Sequence, residues 1–137
     1  MEPQNGATYD RYVAYARSKT AAILFTKGLV QRGFVSFAVD PGLCRTMLQR
    51  SFTDDEVAAM PESYGQDWRP LPAAVATYVV AAFQPGLEQD NGGFLANCGL
   101  AQPAPYAEDI PTAERLWEFS ERLCRERFGD RYMCREL

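Results

Sequence analysis

The chain has 137 residues, 47% of them hydrophobic and 23% charged, with a net charge of −4, the profile of one ordinary soluble domain. That acidic balance and the lack of any Lys/Arg run argue against a nucleic-acid surface, since Arg122, Arg125 and Arg127 alternate with Glu121 and Glu126 as on a solvated helix face. There is no histidine, and Cys44, Cys98, Cys124 and Cys134 nowhere form a Cys-x-x-Cys pair; zinc sites and histidine-dependent triads are disfavoured, and no metal site is expected.

The first residues are polar and acidic, with no apolar run behind them, so no targeting signal is expected there. Residues 10–31 read as a long helix closed by Gly33 in a C-terminal capping position. Its apolar residues, among them Tyr12, Tyr15, Leu24, Phe25 and Leu29, fall on several faces, which predicts burial on more than one side. Residues 34–39 are rich in β-formers and run into Asp40-Pro41-Gly42, the pattern of a buried strand entering a turn. Thr53-Asp54-Asp55-Glu56 has the form of a capping box, opening a short helix expected to end before Pro61. Residues 61–70 read as loop, and Pro72 opens a small-residue helix running to Phe83. That stretch is the most apolar of the chain, yet it is too short to span a bilayer, so a soluble cytoplasmic protein without a membrane span is expected.

Asp90-Asn91-Gly92-Gly93 predicts a turn, residues 94–97 a short strand, and residues 102–110 a connection. Residues 111–128 form the last helix, with Ala113, Leu116, Trp117, Ser120, Leu123 and Cys124 on one stripe. The four thiols are expected to be reduced and mostly structural. Only two strands are legible beside three long helices, and two strands do not make a self-sufficient sheet. Either the helices carry the fold or strands arrive from another chain.

Tyr15 and Lys19 lie four residues apart on one helical face. A cation at that distance favours the phenolate and makes the tyrosine a usable proton donor or acceptor. On the pair alone, the plainer reading is a core aromatic beside a surface lysine.

The sequence around the pair adds more. Tyr15-Ala16-Arg17-Ser18-Lys19, followed by Thr20-Ala21-Ala22-Ile23-Leu24-Phe25, resembles the active-site helix of short-chain dehydrogenases/reductases, closest to the retinol-dehydrogenase-like branch. Pro41-Gly42-Leu43-Cys44-Arg45-Thr46 matches that family's Pro-Gly-x-x-x-Thr segment, and Asn91-Gly92-Gly93-Phe94 and the stretch from Pro103 to Trp117 resemble its final strand and tail. The resemblance implies an α/β, truncated Rossmann-like fold: the carboxy-terminal half, a single partial domain with few parallel strands and long helices. It implies oxidoreductase chemistry on a carbonyl or secondary alcohol with NAD(P), the choice between NAD and NADP staying open. Tyr15 would exchange the substrate proton and help bind the cofactor, and Lys19 would favour the ionised tyrosine and hold the nicotinamide ribose. Pro41, Gly42 and Leu43 would pass their backbone beside the nicotinamide, with Thr46 at its amide or phosphate side. Residues 47–70 would be the variable substrate-covering lid, whose Phe52, Met60, Tyr64 and Trp68 suit a bulky hydrophobic small molecule.

Departures from the family pattern are equally clear. No Gly-x-x-x-Gly-x-Gly phosphate loop and no Asn-Ala-Gly segment occur in these residues, so the helix N-terminus that cradles a pyrophosphate is not among them. By spacing, the family's catalytic serine falls on Glu2, and neither Thr8 nor Ser18 replaces it; losing one such donor costs about 10²–10³ in rate. Weak NAD(P) binding by the isolated chain is expected for the same reason. Three readings stay open: an oxidoreductase completed by another chain, a cofactor-independent cyclase or isomerase, and a non-catalytic accessory or truncated protein. A homodimer or a complementing chain is expected in each.

Overall fold

The computed structural model describes residues 9–129. The described residues divide into two compact units, one made of residues 9–36 with 103–129, the other of Phe37–Gln102. Together they show an α/β chain, rich in helix, with a small mixed sheet.

The first unit is a helix pair. Helix α1 (Arg11–Gln31) starts where the Asp10 carboxylate accepts from the backbone N–H groups of Tyr12 and Val13, at 2.8 and 3.0 Å. It ends in a Schellman motif, in which Phe34 N–H reaches Leu29 C=O (3.1 Å) and Gly33 N–H reaches Val30 C=O (3.0 Å). Gly33, at φ +81°, supplies the left-handed residue that this motif needs.

The last helix, Ile110–Phe128, packs against α1 around Trp117, which is 6% exposed. Gly28 makes the approach possible, because a methyl there would sit 3.1 Å from Cε3 of Trp117. Phe25 stacks on the indole with ring centroids 5.0 Å apart, and the Arg32 guanidinium lies 4.0 Å from the indole centroid. Arg32 also grips Glu114 with two hydrogen bonds, at 2.8 and 3.2 Å, and Lys27 pairs with Glu108 at 3.5 Å. Burial of Ala113 and Trp117 matches the upper part of the expected stripe, but Leu123 and Cys124 are exposed.

In the second unit, β1 (Ala38–Asp40) pairs in parallel with β2 (Phe94–Ala96), placing Val39 opposite Leu95. Strand β3 (Gly99–Ala101) returns antiparallel beside β2, and the sheet order is β1-β2-β3. A parallel pair needs a long crossover, and this one contains α2 (Asp54–Tyr64) and α3 (Leu71–Phe83). Helix α3 covers the sheet through Ala74 and Thr77. The fully buried Thr77 hydroxyl is satisfied by the N–H of Cys98, at 3.2 Å. The last helix is α4 in chain order.

Several sequence-based expectations need correction. The strand expected over residues 34–39 is confined to Ala38–Asp40, because β2 offers a partner for only those three residues, and Phe34 and Val35 are exposed. Helix α2 does not stop before Pro61 but runs through it to Tyr64. Proline forgoes one hydrogen bond, and the turn beyond it is closed by Gln66 N–H to Pro61 C=O and capped by Gly65 at φ +60°. Strand β3 was not expected at all; it follows a tight turn with positive φ at both Asn97 and Cys98. Nor are the described thiols buried, since Cys98 and Cys124 are exposed and Cys44 is half-buried. Cys134 lies outside the described residues.

Candidate active site

The candidate residues fall in two groups, one in each unit. Tyr15 and Lys19 stand one turn apart on α1, with the Lys19 ammonium 5.2 Å from the centroid of the Tyr15 ring. Tyr15 is 42% exposed, so it is no core aromatic, and Lys19 is exposed beside it. Lys19 makes no ion pair with any described residue. The helix therefore presents a phenol and an uncommitted cation together on an accessible face. Ser18 is not a third member of that group, because its hydroxyl donates back to the Tyr15 carbonyl at 2.7 Å. Glu2 and Thr8 lie outside the described residues.

The second group leaves the carboxyl end of β1. The Asp40 carboxylate accepts from Gly42 N–H at 2.8 Å and folds the Pro41-Gly42 turn back on the strand. Gly42 is at φ +74°. Leu43 C=O accepts from Arg69 N–H at 2.7 Å, and Cys44 pairs with Arg69 in an isolated parallel bridge. The two ends of the 45–68 excursion are thus tied together at its base. Thr46 caps the 3-10 turn Met47–Ser51: its hydroxyl accepts from Leu48 N–H at 3.1 Å, and its own N–H donates to the Gln49 side chain at 2.9 Å. That work leaves the Thr46 hydroxyl little freedom to turn.

Of the expected lid aromatics and apolar groups, Tyr64 is exposed, Phe52 and Trp68 are half-buried, and Met60 is buried within the unit. Trp68 carries the Arg45 guanidinium over its ring at 5.1 Å. Arg69 was missed by the sequence reading. Its guanidinium lies where a Gly42 side chain would be, with Nε 2.7 Å and Cζ 3.1 Å from the position of the missing Cβ. A basic residue ahead of Pro70 gives no local sign of such a role, because the contact depends on the bridge to Cys44.

Among the described residues no group of three or more Cys, Asp or Glu side chains could hold a metal ion, and no helix is long and apolar enough to cross a membrane.

Comparison with known proteins places these groups in context. The chain is 36% identical over 129 residues to the human WW domain-containing oxidoreductase, covering 88% of this chain and 30% of that protein. It is 31% identical over 121 residues to human retinol dehydrogenase 12, covering 85% and 38% respectively. A probable oxidoreductase of Streptomyces lividans is 33% identical over 132 residues, covering 81% and 44%. The chain thus spans roughly a third of the length of the first of these curated relatives and less than half of the others. No family model and no solved structure matches.

Proposed function

The chain belongs to the short-chain dehydrogenases/reductases, whose carboxy-terminal part it carries, and from that premise we propose that it is the proton-transferring and substrate-covering portion of an NAD(P)-linked oxidoreductase. The observation that carries this reading is the exposed Tyr15 with the uncommitted Lys19 ammonium at its ring. Tyr15 Oη gives a proton to a substrate oxygen on reduction of a carbonyl and takes one on oxidation of a secondary alcohol. Lys19 favours the phenolate while the proton is away from Tyr15. Bound nicotinamide would supply or accept the hydride.

By resemblance, Lys19 on α1 would bond a ribose hydroxyl and, in the other unit, the Pro41–Leu43 backbone would serve the nicotinamide; the lack of any ion pair from Lys19 to a described residue suits its part in this. Cofactor affinity in these residues alone is expected to be low, because the sequence contains no phosphate-cradling glycine loop. A bulky hydrophobic substrate is supported by residues 47–70, where Met47, Leu48 and Tyr64 are exposed.

The test is turnover of hydrophobic ketones and secondary alcohols by the chain, with and without NAD(P)(H). Tyr15→Phe keeps the ring and removes the ionisable hydroxyl, so it should abolish turnover while the melting curve stays unchanged. Lys19→Ala should remove turnover or move its pH optimum upward. Full activity in Tyr15→Phe overturns the assignment, and turnover without cofactor replaces hydride transfer by acid/base chemistry at the same tyrosine.

A further inference from the structure

The loop after β1 gathers positive charge that no described residue neutralises. Arg69 is half-buried, yet its guanidinium makes no hydrogen bond and no ion pair to any described residue, and among those residues Arg45 meets only the face of Trp68. This occurs in a chain whose net charge is −4. Of the acids flanking the loop, Asp40 is turned to the Gly42 N–H, and Asp67, two residues before Arg69, is exposed and forms no ion pair with it. Arg69 is also held firmly by its own backbone, through the 2.7 Å bond from its N–H to Leu43 C=O and the bridge to Cys44. Its planar head rests on Gly42, the one residue of the turn without a side chain to displace it.

A guanidinium fixed at its stem, with its forked donors unspent, is built to receive a carboxylate or phosphate. Its location narrows the choice, because in open α/β sheets ligands bind beyond the carboxyl ends of parallel strands, where this loop lies.

We infer that Arg69 is a binding residue for a phosphate group of the nucleotide cofactor, taking it beside the Pro41–Gly42 turn with Arg45 adding long-range charge. The inference rests on the oxidoreductase reading for the identity of the phosphate, and on the geometry of this loop for the site itself. Arg69 would then supply part of the phosphate recognition that a glycine-rich loop provides elsewhere, and from the nicotinamide side.

Three probes separate these two supports: nicotinamide mononucleotide, nicotinamide riboside and inorganic pyrophosphate, each titrated into the 137-residue chain with binding followed by saturation-transfer NMR. The mononucleotide should bind more tightly than the riboside. Arg69→Ala should weaken mononucleotide and pyrophosphate binding by about tenfold, the loss expected for one charge-assisted hydrogen bond, and leave the riboside unchanged. Arg69→Lys should recover part of the loss. Arg69→Gln keeps the packing on Gly42 without the charge and should behave as Arg69→Ala, which guards against a folding artefact.

If riboside and mononucleotide bind equally, or Arg69→Ala leaves both phosphate-bearing probes unaffected, the inference is wrong while the oxidoreductase reading stands. If pyrophosphate binding depends on Arg69 but the riboside does not bind at all, the anion site stands and the nicotinamide reading fails. Absence of binding by both phosphate-bearing probes overturns the inference outright.

Discussion

Gly42 carries two separate constraints, and substitution can tell them apart. Its φ of +74° lies in the region that costs other residues roughly 1–2 kcal/mol, and its missing side chain leaves the space that Arg69 fills. Gly33 shares the first constraint, at φ +81°, but a methyl there meets nothing within 4 Å. Gly33→Ala should therefore cost about 1 kcal/mol in a denaturant melt, whereas Gly42→Ala should cost measurably more and displace the Arg69 head. Equal losses would show that Arg69 yields without strain. The same pair of residues marks what was legible beforehand. A Pro-Gly turn after an apolar run signals a bare backbone from sequence alone, and a tyrosine and lysine four apart signal a shared face. Arg69 had no such mark, because it reaches Gly42 only after some 25 intervening residues have folded back, and residue spacing holds no information about that closure.

Among the elements, the long helices and β2 were legible, whereas the extent of β1 and the presence of β3 were not, for a reason visible in their bonding. Helix α1 begins and ends with signals carried in its own sequence, the Asp10 cap and the Gly33 turn, whereas β1 and β3 take their extents from β2. Positive φ at Cys98 was equally hidden, since cysteine is not a residue that announces a tight hairpin. The α1–α4 pair yields two predictions. Trp117→Ala removes the ring that Phe25, Gly28 and Arg32 all contact, and should lower the unit's stability by about 3–5 kcal/mol, read from its melting transition. The second concerns pH. The hydrogen bond from Arg32 holds the Glu114 carboxyl below its ordinary value of 4.5, and bonds from the Thr112 side chain and backbone do the same for Asp109 at the start of α4. A carboxylate with a depressed folded value stabilises the fold above its unfolded value, and that contribution fades as pH falls through the folded one. Denaturant midpoints should therefore fall on acidification below about pH 4.5, and Glu114→Gln should flatten part of that fall. An unchanged acid slope in Glu114→Gln would show that the exposed pair contributes nothing to folding.

At the scale of the whole molecule, large apolar side chains stand exposed in a row along α3. Along α3 the face away from the sheet exposes Leu71, Val75, Tyr78 and Val79, and Phe83 at its end is 79% exposed. These residues recur at helical spacing, so they form one stripe rather than scattered single side chains. Strand β1 adds an open edge, since β2 is its sole partner among the described residues, and an unpaired strand edge is a template for another chain. Burying each large side chain is worth about 1.5–3 kcal/mol, so covering even three of them rivals the roughly 5–15 kcal/mol that holds a small protein folded. The chain should accordingly self-associate, or pair with a chain that offers a strand to β1 and an apolar face to α3. Static light scattering at micromolar concentration should report a mass above that of one chain. Val75→Glu with Val79→Glu, on the exposed face and away from Ala74 and Thr77, should shift it toward the monomer without unfolding α3. A monodisperse monomer before any substitution would refute the expectation, because the exposed stripe would then be tolerated in water as it stands.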